Sequence, residues 1–156
     1  MNITLPTLLL VEDDTNDVML FRRAKDKSNL ANPLQVVEDG EMAVAYLSGQ
    51  GQYADRNRYP LPALMLLDLK LPRKSGLEVL AWLREQPGLL RLPVVVLTSS
   101  KESVDVGHAY DLGANSYLVK PVAFDTLLEM VKALGMYWFI LNEQPALQPA
   151  RDEENG

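Results

Sequence analysis

Four aliphatic runs in this chain each close on a polar or charged residue, and that repetition limits the fold more than any other feature. Leu8-Leu9-Leu10-Val11 leads into Glu12 and Asp13, Leu64-Met65-Leu66-Leu67 into Asp68, Val94-Val95-Val96-Leu97 into Thr98, and Tyr117-Leu118-Val119 into Lys120. Continuous apolar runs of this length suit strands covered on both faces, as in a parallel sheet flanked by helices. Ligands of such sheets sit beyond the carboxyl ends of the strands, where the chain order reverses. Runs that deliver their polar residues at the same end therefore build one site, containing three carboxylates, a hydroxyl and an ammonium. That donor set suits a divalent cation and a phosphoryl group.

Segments with helical spacing separate the runs. Asp14-Thr15-Asn16-Asp17 offers N-cap chemistry, and Val18, Phe21 and Ala24 follow at helical intervals. Leu34 to Val37 reads as another strand, and Gly40 to Leu47 as a second helix. Gln50 to Pro62 breaks periodicity and is predicted as a surface loop, with Tyr53, Arg56, Arg58 and Tyr59 exposed or half-exposed. Leu77, Val79, Leu80 and Leu83 mark a third helix, and Val104, Val106, Ala109 and Leu112 a weaker fourth. A last helix is expected from about Phe124 to about Leu141. Strand and helix alternate about five times, which is the signature of repeated βα units.

The 156 residues suffice for one domain with a sizeable core, expected over 1–142, followed by a mobile acidic tail over 143–156. No stretch approaches the ~18 apolar residues needed to span a bilayer, and Met1 to Pro6 lacks the basic and apolar regions of a signal peptide. Without cysteine there is no disulfide framework or thiolate metal site. A cytoplasmic setting is expected. The net charge of −6 leaves no basic stripe for nucleic acid, and no DNA-binding module is expected within these 156 residues.

Carboxylates held about 5 Å apart repel by about 3 kcal/mol per pair at an effective dielectric near 20, so a cluster of them calls for a cation. All-oxygen ligands with water completing the shell favour magnesium over zinc. A carboxylate beside that ion is also a competent nucleophile towards phosphorus. Lys120 would supply positive charge to the phosphoryl oxygens, and Thr98, or Ser99 beside it, a hydroxyl donor.

Val11-Glu12-Asp13, Leu67-Asp68-Leu69-Lys70-Leu71-Pro72, Leu97-Thr98-Ser99 and Tyr117-Leu118-Val119-Lys120-Pro121 together resemble the motifs of the receiver domains of two-component response regulators. The resemblance covers about Thr7 to Leu141 and implies a flavodoxin-like, doubly wound α/β fold: a five-stranded parallel sheet of order 2-1-3-4-5 with five helices. It implies that Asp68 is the phosphoacceptor, loaded by a partner histidine kinase, and that the protein is no enzyme beyond slow self-dephosphorylation. Asp13, Asp68 and the Lys70 backbone carbonyl would ligate Mg2+ directly, and Glu12 through water. Lys120 would pair with the phosphoryl group, the Lys120–Pro121 peptide would be cis, and Thr98 and Tyr117 would form the switch pair.

A narrower likeness extends to stand-alone regulators paired with phytochrome-type, light-sensing kinases. It rests on the Gln50–Pro62 loop, Leu69 to Gly76, Tyr110 to Tyr117 and the aromatic finish Tyr137-Trp138-Phe139. Lys70 stands where that group commonly has asparagine, and Ser75 where it has aspartate or another polar residue. Lys70 thus bears on the dephosphorylation rate. A haloacid-dehalogenase-like phosphatase would want an acid at position 70, where lysine stands, and a degenerate scaffold would lack an acid or the lysine, and none is missing. His108, the only histidine, reads as a surface residue rather than a relay group, and Trp82 as a packing residue. Met136 to Leu141 are six consecutive apolar residues, more than one helix face can bury. With Tyr137, Phe139 and Ile140 outward and Trp138 inward, this segment is expected to make a homodimer.

Overall fold

The computed structural model describes residues 5–148 and 150. Its strands are β1 (Leu8–Val11), β2 (Leu34–Val37), β3 (Leu64–Leu67), β4 (Val94–Thr98) and β5 (Ser116–Val119). They form one parallel five-stranded sheet in the order β2-β1-β3-β4-β5. Helices α1 (Thr15–Lys27), α2 (Gly40–Ser48), α3 (Gly76–Leu83), α4 (Ser103–Asp111) and α5 (Phe124–Gly135) connect and follow them.

The unbroken aliphatic runs have a simple cause. Alternate residues of each central strand serve opposite faces, and both faces are covered. Leu9, Val11, Met65, Leu67, Val94 and Val96 join a core completed by Tyr46 and Leu47 of α2, Val79, Leu80 and Leu83 of α3, and Ala109 of α4. Leu8, Leu10, Leu64, Leu66, Val95 and Leu97 join the other, completed by Phe21 and Ala24 of α1 and Val131 of α5. Only half-buried residues make up β5, an edge strand.

Short polar side chains start the helices where the sequence calls for them. Asp14 accepts from the Asp17 N–H at 3.0 Å, Asp39 from Met42 at 2.7 Å and Ser75 from Glu78 at 3.2 Å. The β3–α3 turn is drawn tightly over the sheet end. A Cβ at Gly76 would collide with the Asp68 carbonyl, and one at Gly40 with the Lys74 carbonyl, so both positions require glycine.

Three expectations need correction. The Gln50–Pro62 segment is a packed structure rather than a plain surface loop. A 3-10 turn over Gly51–Tyr53 buries Tyr53 against Tyr46 and Tyr59, with ring centroids 5.1 Å from each. Arg56 anchors it by donating to the carbonyls of Tyr46, Leu47 and Tyr59. These tyrosines lack helical or strand periodicity, so their shared contact left no mark in the spacing.

Lys120–Pro121 is trans, as is every peptide bond among the described residues. The trans form of an X–Pro bond keeps a modest intrinsic advantage, and Lys120 reaches the strand-end acids with it in place.

The last helix does not continue as α-helix to Leu141. Met136–Leu141 is wound as a π-helix, closed by the Asn142 N–H donating to Tyr137 at 2.8 Å. Each residue turns less than in an α-helix, so neighbours 138 and 139 share a side. Phe139 therefore packs beside Trp138 on the second core, whereas Tyr137 and Ile140 remain 55% and 69% exposed. Beyond it, Glu143 to Gln148 has no regular structure, but Leu147 packs on the first core and the Gln148 N–H donates to Gly88 at 2.8 Å. The acidic residues Asp152 to Glu154 lie outside the described residues.

Candidate functional site at the strand ends

Register decides which residues meet. Val11 lies level with Val37 and Leu67, and Leu67 with Val96, so Glu12 and Asp68 leave adjacent strands side by side. The backbone confirms it: Glu12 donates to the Val37 carbonyl at 3.0 Å and Asp68 to the Val11 carbonyl at 3.1 Å. Thr98 pairs with Val119, and the Lys120 N–H donates to the Thr98 carbonyl at 2.8 Å.

Carboxylate oxygens of Glu12, Asp13 and Asp68 lie within 4.8 Å of one another, with Glu12 and Asp68 buried and Asp13 exposed. The Lys120 ammonium enters this group from β5. It lies 2.8 Å from Asp68 Oδ2 and 2.8 Å from Asp17 Oδ2, and also contacts Glu12 Oε1. Asp68 Oδ1 accepts from the Lys70 N–H at 3.2 Å.

These neighbours set the charge states. Burial pushes Glu12 up to about 7, aided by the Asp68 charge and opposed by Lys120. Burial acts on Asp68 too, but Lys120, Thr98 and the Lys70 N–H outweigh it and hold the carboxyl below its usual value. Burial would lower Lys120, yet its contacts with Asp17, Asp68 and Glu12 raise it well above an ordinary lysine. The ammonium is therefore a fixed positive charge at physiological pH.

Thr98 Oγ1 is fully buried and makes no hydrogen bond of good geometry, although it lies near enough to Asp68 to favour that carboxylate's charged form. A buried hydroxyl without a partner is costly. It offers an unused donor to an anion carried by Asp68. Ser99, its predicted alternative, is exposed. Ser100 is buried instead: its Oγ meets Asp105 Oδ2 at 2.5 Å, and its carbonyl accepts the Tyr117 hydroxyl at 2.9 Å.

Glu12, Asp13, Asp68, Thr98 and Lys120 thus meet as their sequence positions predict, with Lys70 at the rim. Two participants were missed. Asp17 passes in the sequence as N-terminal helix chemistry, yet from the first turn of α1 its carboxylate reaches Lys120. Ser100 is masked by the two hydroxyl residues before it. His108 is exposed and Trp82 half-buried on the first core.

Known proteins resemble this chain in sequence and fold. Residues 8–132 match the family described as the response regulator receiver domain. The chain belongs to that family. Response regulator Rcp1 of Synechocystis sp. is 40% identical over 139 residues, covering 89% of this chain and 92% of Rcp1. The crystal structure of its Mn2+-bound form superposes with a TM-score of 0.81, covering 90% of this chain and 99% of that one. The phosphorylated cyanobacterial phytochrome response regulator RcpA gives a TM-score of 0.84 at 38% identity, over 91% of this chain and 99% of RcpA. RPA3017, a response regulator in red light signalling of R. palustris, gives 0.86 at 33% identity, over 91% and 99%. The chain is a receiver-domain response regulator of two-component signalling, and its acidic cluster has the hard, all-oxygen donors that a divalent cation requires.

Proposed function

We propose that Asp68 takes a phosphoryl group from the phosphohistidine of a partner kinase, and that the signal leaves through protein contacts. The observation that carries this reading is the Lys120 ammonium 2.8 Å from the Asp68 carboxylate, with the unpartnered Thr98 hydroxyl buried nearby. An Asp68 oxygen forms the new bond to phosphorus. The P–N bond to the donor imidazole breaks, and the ring nitrogen keeps the electron pair. Lys120 and Thr98 then hold phosphoryl oxygens, with exposed Ser99 within reach of the rim. As Thr98 engages, Tyr117 shifts with it, exchanging its hydrogen bond to Ser100 for a new position.

Asp13, Asp68, the Lys70 backbone carbonyl and, through water, Glu12 are the residues we assign to Mg2+. When bound, the ion neutralises charge on the transferring oxygens. A phytochrome-type kinase in the cytoplasm is the partner that fits best, because RcpA is a phytochrome response regulator and RPA3017 acts in red light signalling. Slow self-dephosphorylation returns the protein to rest. The exposed Tyr137 and Ile140 are the contacts we assign to a homodimer.

Incubation with a small phosphodonor and Mg2+ tests the reading. One base-labile phosphate per chain is expected, abolished by Asp68→Asn, while Asp13→Asn weakens Mg2+ binding first and raises the Mg2+ concentration needed for half-maximal labelling. Labelling that persists in folded Asp68→Asn would overturn the assignment.

A further inference from the structure

We propose that Asp17 is a positioning residue for Lys120, drawing the ammonium back towards α1 and loosening its hold on any anion that Asp68 carries. The inference rests on Asp68 being the phosphoacceptor.

An ammonium has three protons to donate. Lys120 meets three carboxylates, those of Glu12, Asp17 and Asp68, so the resting site leaves no proton over. A phosphoryl group on Asp68 inherits that carboxylate's contact, and its further oxygens can engage Lys120 only if Glu12 or Asp17 releases it. The Glu12 and Asp68 side chains are only 4% and 8% exposed, whereas that of Asp17 is 35% exposed. Water can solvate a released Asp17, whereas a released Glu12 would be left buried without a partner. A small cavity lined by Asp17, Phe21, Lys120 and Leu127 leaves space for the two side chains to part.

The competition has a sign. A phosphorylated aspartate carries roughly one more negative charge than the carboxylate it replaces, so its pull on Lys120 grows while that of Asp17 stays constant. Asp17 thus opposes the loaded state and favours return to rest. Its place in the first turn of α1 ties that helix to the strand-end lysine until the anion arrives.

Beryllofluoride, an anionic stand-in for a phosphoryl group, provides the test. Titration in Mg2+ should show Asp17→Asn binding it roughly three- to tenfold more tightly than the unaltered chain, with Asp17→Glu close to unaltered. Mere damage to α1 would weaken binding instead. Asp14→Asn is the charge control: it removes the same charge from the same helix start, keeps an N-cap side chain and does not meet Lys120, so it should gain less than about twofold. Equal or weaker binding by Asp17→Asn, or an equal gain in Asp14→Asn, would overturn the proposal while leaving the phosphoacceptor reading intact. If the unaltered chain binds no beryllofluoride, both fail together.

Discussion

Lys120 Nζ donates to Asp68 Oδ2 at 2.8 Å although 52 positions of sequence separate them. The sheet order makes the contact possible, because β3 and β5 flank β4 and their ends open on the same side. Removing the lysine leaves Glu12, Asp17 and Asp68 facing one another without a cation. Lys120→Met should therefore lower stability by about 2–4 kcal/mol in metal-free buffer. Added Mg2+ should recover more of that loss than it adds to the unaltered chain. Urea unfolding with and without Mg2+ measures both.

Glu12 makes stability depend on pH in a direction unusual for an acid. The unfolded chain releases this proton near 4.5, and the folded chain only near 7. Between those values the folded state holds the extra proton, so stability falls as pH rises through the window. Without divalent cation, the unfolding free energy should be higher at pH 5 than at pH 7.5, by an amount on the order of 1–3 kcal/mol. Glu12→Gln should flatten this slope. Asp68, held below its usual value, contributes in the opposite sense and only at more acid pH.

The fold was legible because burial on both faces of β1, β3 and β4 forces uninterrupted aliphatic runs, which few other arrangements produce. The site was legible because each run hands its next residue to the same sheet end. Asp17 was not, since its first-turn position already satisfies a helix and hides its second role. The Tyr46–Tyr53–Tyr59 cluster was hidden for a related reason: its rings come from a helix, a 3-10 turn and a loop with no common period. Phe139 turned inward because the winding changes to π after Gly135, and periodicity assumes an α-helix throughout.

The π-helical end offers a test of assembly. Tyr137 and Ile140 are exposed, and Met136 and Leu141 beside them are too. Burying Tyr137 and Ile140 across an interface contributes about 1.5–3 kcal/mol each before association costs, enough to help hold a moderate dimer. Sedimentation at micromolar concentration should show a dimer, and Tyr137→Ser with Ile140→Ser a folded monomer. A monomeric unaltered chain, phosphorylated or not, would exclude this interface.

Lys70 is exposed, and its N–H already meets Asp68. On the proposed role of Asp68, a cation two residues past it would hold phosphoryl oxygens and obstruct attacking water. Lys70→Asn should shorten the lifetime of the phosphorylated state by about two- to fivefold, allowing for the weakness of an exposed ion pair. Phosphate release followed over time reads it, and an unchanged or slower decay would show that the side chain points into solvent.

Locating the phosphate on the chain decides the central question. Borohydride reduces an acyl phosphate to an alcohol, so treating the loaded protein and mapping its peptides marks the acceptor. We expect the mark on Asp68 alone, and none in Asp68→Asn. A mark on Glu12, Asp13 or Asp17, or none anywhere in a chain that has demonstrably taken up phosphate, would contradict the role given to Asp68.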